Sequence, residues 1–228
     1  MLQFHHIPQT DPNEKPRAAL AGSACDVYLL EKSRVVYNED VERTYHVFYQ
    51  LLAAPEDKKI EIWKGLKGTK NESFTYVGPA PHVLIDGMED GDHFGHTAEA
   101  LELVGVKGDS YLTLFRAIAS SLQLGNLTFA PKPGNDEESV ITSKKEFKDL
   151  AELLACDTTI LEKAFTERTI KTRGEEYKVP LKSDVSKESA DAFAKEIYAK
   201  VFLWLVRAIN DATCAENNYP NGKDIEYG

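Results

Sequence analysis

The stretch SKESADAFAKEIYAKVFLWLVRAINDAT, Ser186 to Thr213, decides the fold class. Phe193, Ile197, Val201, Trp204 and Ala208 recur at helical spacing and predict one buried stripe. At 1.5 Å per residue such a helix is about 40 Å long. The same periodicity continues upstream. Asp157 is placed to cap a shorter helix, Thr158 to Phe165, and Ser143 with Glu146 forms a capping box before a helix that buries Phe147, Leu150 and Leu154. Asp109 heads a segment ended by Gly125, with Leu112, Phe115, Ala119 and Leu122 as its stripe. From Asp92 onward the pattern is nearly all helix, so the chain reads as mainly α with a small β component.

The β component is local. TERTIKTRGEEYKVPL, Thr166 to Leu181, alternates like a hairpin around Gly174. From Arg168 to Lys182 it carries Arg168, Lys171, Arg173, Lys178 and Lys182 against Glu175 and Glu176, an excess of three positive charges in a chain of formal charge −10. Leu2–Ile7 and Cys25–Val36 read as paired strands, with Val27, Leu29 and Val35 on one pleat face and a Pro-rich connection, Pro8 to Pro16, between them. At least one edge of that pair is expected to stay bare. Asn38 then caps a helix carrying Val41, Tyr45, Phe48 and Leu52, and Lys58–Gly78 reads as a helix followed by irregular chain. Ala130–Thr142, with two prolines, a glycine and three consecutive acids, reads as a solvated loop. Asn217–Gly222 reads as a turn, and the final IEYG as a strand cut short.

Composition narrows the function classes. The 42% hydrophobic content is enough for a core. Cys25, Cys156 and Cys214 are odd in number and widely spaced, as in reduced thiols of an intracellular protein. No apolar run approaches the roughly 18 residues a membrane span needs, and MLQFHHIPQTD lacks the regions of a signal peptide. The charge of −10 argues against non-specific nucleic-acid binding. A soluble, cytoplasmic protein is expected.

Catalytic patterns are sparse. EDGDHFGH gathers Glu89, Asp90, Asp92, His93 and His96, a conceivable metal site around two histidines. Without H-E-x-x-H spacing or a nearby cysteine, it reads better as a polar turn entering a helix with both histidines exposed. GLKGTK, Gly65 to Lys70, is too short for a phosphate loop, and there is no G-x-S-x-G elbow. No catalytic residue, metal ligand or cofactor ligand is assigned. The residues alone support a helical interaction module.

Several stretches resemble one family. DVYLLEKSRVV followed by VERTYHVFYQLL, within Asp26–Leu52, resembles the Y-L-L-E-K-S-R-V … E-R-N-Y-H-I-F-Y-Q-L-L stretch of the myosin motor domain. LFRAIASSLQLGNLTF resembles its F-x-x-L-A-A-I-L-H-L-G-N-I-x-F, and GDHFGHTAEALELVGV its D-x-x-x-F-x-x-T-x-x-A-L-x-x-L-G-F. LEKAFTERTIKTRGEEYKVPL is similar to L-x-x-A-L-x-x-R-x-I-x-x-x-G-E-x-x-x-x-P-L, and DAFAKEIYAKVFLWLVRAIN to D-A-L-A-K-x-I-Y-x-R-L-F-x-W-L-V-x-x-I-N. The order and spacing match over almost the whole chain.

The family's phosphate loop G-E-S-G-A-G-K-T, its switch I N-x-N-S-S-R-F-G-K and its switch II D-x-x-G-F-E do not occur here. The resemblance therefore implies a middle segment of the α/β P-loop-type motor fold, between switch I and switch II. Residues 1–36 would be a hairpin of the central transducer sheet. Residues 37–224 would be the helical upper 50K subdomain, and 225–228 the start of a strand leading to switch II. The basic finger matches the cardiomyopathy loop, an actin contact, which makes Arg168, Lys171, Arg173, Glu175, Glu176 and Lys178 the implied actin-binding residues. Ala130–Thr142 matches the neighbouring loop 4, which by the same resemblance can also approach actin. The family keeps an acidic or phosphorylatable residue sixteen positions before D-A-L-A-K, which falls on Glu175, with Glu176 adjacent. Implied partners are actin filaments and the remainder of a heavy chain, in a cytoskeletal myosin. Mg-ATP would bind the complete motor, and this chain alone would be inactive. A stand-alone helical binding module is the alternative.

Overall fold

The computed structural model describes residues 1–7, 15, 17–37, 39, 42–79, 84–172, 174–214 and 225–227. Among these, the α-helices are α1 (His46–Ala53), α2 (Glu56–Ile62), α3 (Asp90–Leu103), α4 (Asp109–Gly125), α5 (Lys144–Leu153), α6 (Thr158–Thr166) and α7 (Ser183–Thr213). Strands β1 (Leu2–Ile7), β2 (Arg17–Ser23) and β7 (Ile225–Tyr227) form an antiparallel sheet in the order β2-β1-β7. Two further hairpins are β3 (Phe129–Lys132) with β4 (Asn135–Ile141), and β5 (Glu167–Thr172) with β6 (Glu175–Pro180).

The core is built on α4. Every residue from Ile118 to Gly125 is buried, polar ones included. Ser120 and Ser121 return their hydroxyls to the carbonyls of Arg116 and Ala117 at 2.8 and 3.2 Å, and the Gln123 amide donates to the Glu146 carbonyl at 3.0 Å. With these groups satisfied, the C-terminal half of the helix can be buried all round. Leu114, Phe115, Ile118, Leu122 and Leu124 are nearly inaccessible, and each such side chain contributes about 1.5–3 kcal/mol of transfer free energy.

α7 lies against α4, with its deepest burial at residues the apolar spacing did not predict. Its buried residues are Ser186, Ala190, Ala194, Tyr198 and Ala199, whereas Phe193 and Trp204 keep 38% and 42% of their surface. Ile197, Val201 and Ala208 are partly buried against the core. The expected stripe is corrected at Phe193 and Trp204, and the deepest burial falls instead on a seam of Ser186, Ala190, Ala194 and Tyr198, at steps of four. Short side chains such as Ala190 and Ala194 let α7 approach its neighbours closely.

Several local expectations shift for identifiable reasons. β1 pairs with Arg17–Ser23, from Leu2↔Ser23 to Ile7↔Arg17, so its register is filled before Cys25 is reached. Cys25–Val36 is therefore not a strand. The Cys25 backbone is held by Asn210, and Tyr28 is fully exposed. Lys32–Val35 forms a 3-10 turn whose Val35 joins the helical core. The helix expected from Asn38 begins instead at His46, and Asn38 and Val41 lie outside the described residues. The Thr44 hydroxyl donates to the Arg34 carbonyl at 2.6 Å, and the Thr44 amide to the Tyr49 hydroxyl at 3.2 Å, keeping Tyr45 extended. Ala130–Thr142 is a hairpin, not a loop, with Gly134 at φ +82° and Ile141 fully buried. Ser143 does not cap α5, because its hydroxyl accepts the Thr128 amide at 2.9 Å. Gly108, not Asp109, occupies the N-cap of α4. Asp157 caps α6 as expected, accepting the amides of Thr159 and Ile160. IEY pairs with β1 on the edge opposite β2, while Asn217–Gly222 lies outside the described residues.

The seam makes two neighbouring alanines behave differently. Ala194→Leu overpacks it and is expected to cost about 1–3 kcal/mol in urea unfolding. Ala192→Leu, on the exposed face of the same helix, is expected to stay within about 0.5 kcal/mol of wild type.

Candidate functional site

The basic finger runs directly from α6 and returns into α7. At its base the Leu181 amide donates to the Thr166 carbonyl at 2.8 Å, and Leu181 is buried. The register pairs Arg168 with Val179, Thr169 with Lys178, Ile170 with Tyr177, Lys171 with Glu176 and Thr172 with Glu175. Gly174 closes the turn at φ +86°, a conformation that costs side-chain-bearing residues energy.

Strand alternation divides the finger into two faces. One carries Thr169, Lys171, Glu176 and Lys178. Here Lys171 and Glu176 form an ion pair at 2.7 Å, and the Lys178 ammonium donates to the Thr169 hydroxyl at 2.6 Å. The other carries Arg168, Ile170, Glu175, Tyr177 and Val179, and the Tyr177 hydroxyl donates to the Glu175 carboxylate. That bond to an anion raises the Tyr177 phenol above its ordinary range. The two adjacent acids thus have different surroundings: Glu176 neutralises a lysine, and Glu175 faces an exposed apolar patch of Ile170 and Tyr177. Arg173 lies outside the described residues.

The second hairpin adjoins the finger, which its reading as a loop had hidden. Lys182, at the finger's base, pairs with Glu137 of β4 at 2.7 Å, and this carboxylate raises the Lys182 ammonium above its usual range. Glu138 is held by Lys132 and by the Asn135 amide, the lysine being the main reason its carboxyl lies below the usual range. Beneath these pairs the hydroxyls of Ser139 and Ser186 meet at 2.6 Å in a buried contact between β4 and the first turn of α7. The sequence signal was available in Pro133-Gly134 between alternating residues that end in Ser139 and Ile141.

The histidines do not assemble a metal centre. His93, expected to be exposed, is instead half-buried with a ring nitrogen 2.8 Å from the Ile85 carbonyl, whereas His96 is exposed as expected. No group of three His, Cys, Asp or Glu suited to a metal ion occurs among the described residues. None of the described helices is long and apolar enough to cross a membrane.

Helical body, three-stranded sheet edge and paired hairpins agree with a segment of a motor head. The family model for the myosin head (motor domain) matches residues 13–222. Myosin-7 of Arabidopsis thaliana is 35% identical over 211 residues, covering 92% of this chain and 12% of that protein. Myosin-I heavy chain of Dictyostelium discoideum is 35% identical over 193 residues, with coverages of 84% and 8%. Unconventional myosin-Vb of Mus musculus is 35% identical over 196 residues, with coverages of 85% and 10%. The chain belongs to the myosin head family. It spans roughly a tenth of the length of these curated relatives. A stand-alone module is not favoured by a match this continuous.

The two faces of the finger can be tested by titration. Because the Glu175 carboxylate raises the Tyr177 phenol, Glu175→Gln should bring its titration back toward its ordinary value of about 10. Glu176→Gln should leave it where it is. Site-resolved NMR of the Tyr177 ring reads both, and equal responses would contradict the face assignment.

Proposed function

We propose that this chain is the segment of an ATP-driven, actin-based motor that carries actin contacts and links them to the rest of the head. The observation that carries this reading is the position of the basic finger within the continuous family match. The finger is exposed, its cations stand on a hairpin fixed at its base, and it belongs to an otherwise acidic chain. A positive patch of this kind concentrates attraction for an acidic filament surface at one place. Arg168, Lys171, Arg173 and Lys178 supply the cations. Glu175 is the acidic residue that the family's spacing singles out, and its separation from the Lys171–Glu176 pair supports that choice. The partners in this reading are actin filaments and the remainder of the heavy chain, and the location is the cytoplasmic cytoskeleton. The helical body corresponds to the upper 50K subdomain and β1–β2 to part of the central sheet.

Nucleotide chemistry belongs elsewhere in the head. Phosphoryl transfer relies on a phosphate loop, a metal and positioned switch residues, and none of those protein motifs is in these 228 residues. Mg-ATP is therefore assigned to the complete motor. Calorimetric titration of this chain with Mg-ATP should give no specific heat, and a micromolar affinity would overturn the assignment. In a complete head containing this segment, Glu175→Ala should abolish most actin activation of ATPase at low salt while leaving the basal rate intact. Glu176→Ala should act less, and full activation in the double variant would sink the reading. Exposed ion pairs contribute only about 0.2–1 kcal/mol each, so binding through the finger should weaken steadily as salt rises.

A further inference from the structure

We propose that the junction of α1, α3, α4 and α7 holds a binding site for a small, uncharged, apolar molecule of about the size of benzene. Val47, Leu101, Phe115, Ile118, Val201 and Leu205 surround a cavity of about 120 Å³ at this point. Its cause is local. β-Branched side chains on a helix keep one strongly preferred rotamer, so Val47, Ile118 and Val201 cannot swing inward to close the space. The atoms lining it lack contacts on one side, and a ligand of matching size restores them while leaving water itself.

The wall offers little to water. Among the described residues lining the cavity, Thr97 and Tyr198 alone carry polar side chains. The Thr97 hydroxyl already donates to the Gln50 side chain at 2.8 Å, and the Tyr198 ring is stacked on Tyr45 with centroids 4.4 Å apart. Burial raises the Tyr198 phenol above its ordinary range, in keeping with apolar surroundings. A buried water needs about two to four polar partners, which this wall does not supply. Apolar cavities of about 150 Å³ with linings of this kind stay dry and take up benzene or xenon. A charged ligand is excluded, because its polar groups would be left unpaired.

A route from outside exists. Leu114 and Val201 line the cavity and also a larger apolar groove, of about 440 Å³, between the first half of α4 and Trp204 of α7. These two side chains separate groove from cavity, so their displacement admits a ligand gathered at the surface.

The test is a titration of the 228-residue chain with benzene, followed by methyl-resolved NMR, for wild type, Val201→Phe and Val47→Leu. The two substitutions fill the cavity from different helices, and Val47→Leu adds only one methylene, so the comparison survives if the larger change misfolds. Wild type should show saturable shifts of the Leu101, Ile118 and Leu205 methyls, with a dissociation constant on the order of a millimolar. Filled variants with wild-type circular dichroism should lose those shifts, and benzene should raise the melting temperature of wild type alone. Absence of saturable shifts in wild type overturns the proposal. Shifts confined to Thr113 and Ala117, which line the outer groove but not the cavity, overturn it as well. So does undiminished binding by a folded, filled variant.

Discussion

The close approach of α7 to α4 is the constraint on which the remaining structure depends. α4 fills the interior with large side chains, and α7 lies along it with Ala190, Ala194, Tyr198 and Ala199 buried and Val201 and Leu205 partly buried against the core. A polar lock sits at one end of the seam. The Tyr76 hydroxyl donates to Asp191 at 2.5 Å, and the Lys187 ammonium donates to Asp191 at 2.8 Å and to the Gly125 carbonyl at 3.2 Å. Burial, with the bond to Asp191, drives the Tyr76 phenol far above its ordinary range, so it remains a neutral donor. Gly125 is required for this packing, since a Cβ there would lie 2.9 Å from the Tyr76 ring. Asn126 extends the lock by donating to the Ser73 carbonyl and accepting from Thr75.

With that seam fixed, the two ends of α7 serve different structures. Its first turn adjoins the finger and is tied to β4 through Ser186. Its last turns hold the chain leaving β2. The Asn210 amide group accepts from the Cys25 amide at 2.7 Å and donates to the Cys25 carbonyl at 3.0 Å, while Thr213 donates to the Ser23 carbonyl at 3.0 Å. Gln3 of β1, almost wholly buried, reaches Cys214 just beyond the helix. One helix of 31 residues, about 46 Å long at ordinary rise, thus spans from the charged hairpins to the sheet.

Charge is organised on the same frame. The chain is acidic as a whole, yet much of its charge is paired locally: Arg34 with Glu31 and Glu42, Arg43 with Asp90, and Lys32 with Glu196. The Arg43–Asp90 pair is the deepest of these, with Arg43 almost entirely enclosed and stacked over Tyr49 at 3.8 Å. It ties the chain entering α1 to the first turn of α3, whereas the pairs of the hairpins are exposed. The depth of a pair, more than its length, separates structural charges from those available for recognition.

The sequence by itself determined the elements whose cause is local. Asp157 had its amides within three residues, Gly174 stood alone in an alternating basic stretch, and a long helix followed it; cap, turn and helix are all present. The motif order also carried the family. Tertiary structure decided what depended on a distant neighbour. Which residues of α7 are buried deepest was set by its neighbours, so Ala190 and Ala194 are enclosed while Phe193 and Trp204 keep part of their surface. Cys25–Val36 lost its strand character because β1 was already paired and Asn210 took its backbone. Ser143 was drawn to Thr128, and the acidic stretch became a hairpin once Ile141 had a core to enter. For the finger, composition gave its charge, but only strand register separated Glu175 from Glu176, and only the fold brought Glu137 to Lys182. Spacing along a chain encodes periodicity and caps; it does not encode which of several apolar or charged faces finds a partner of complementary size and sign.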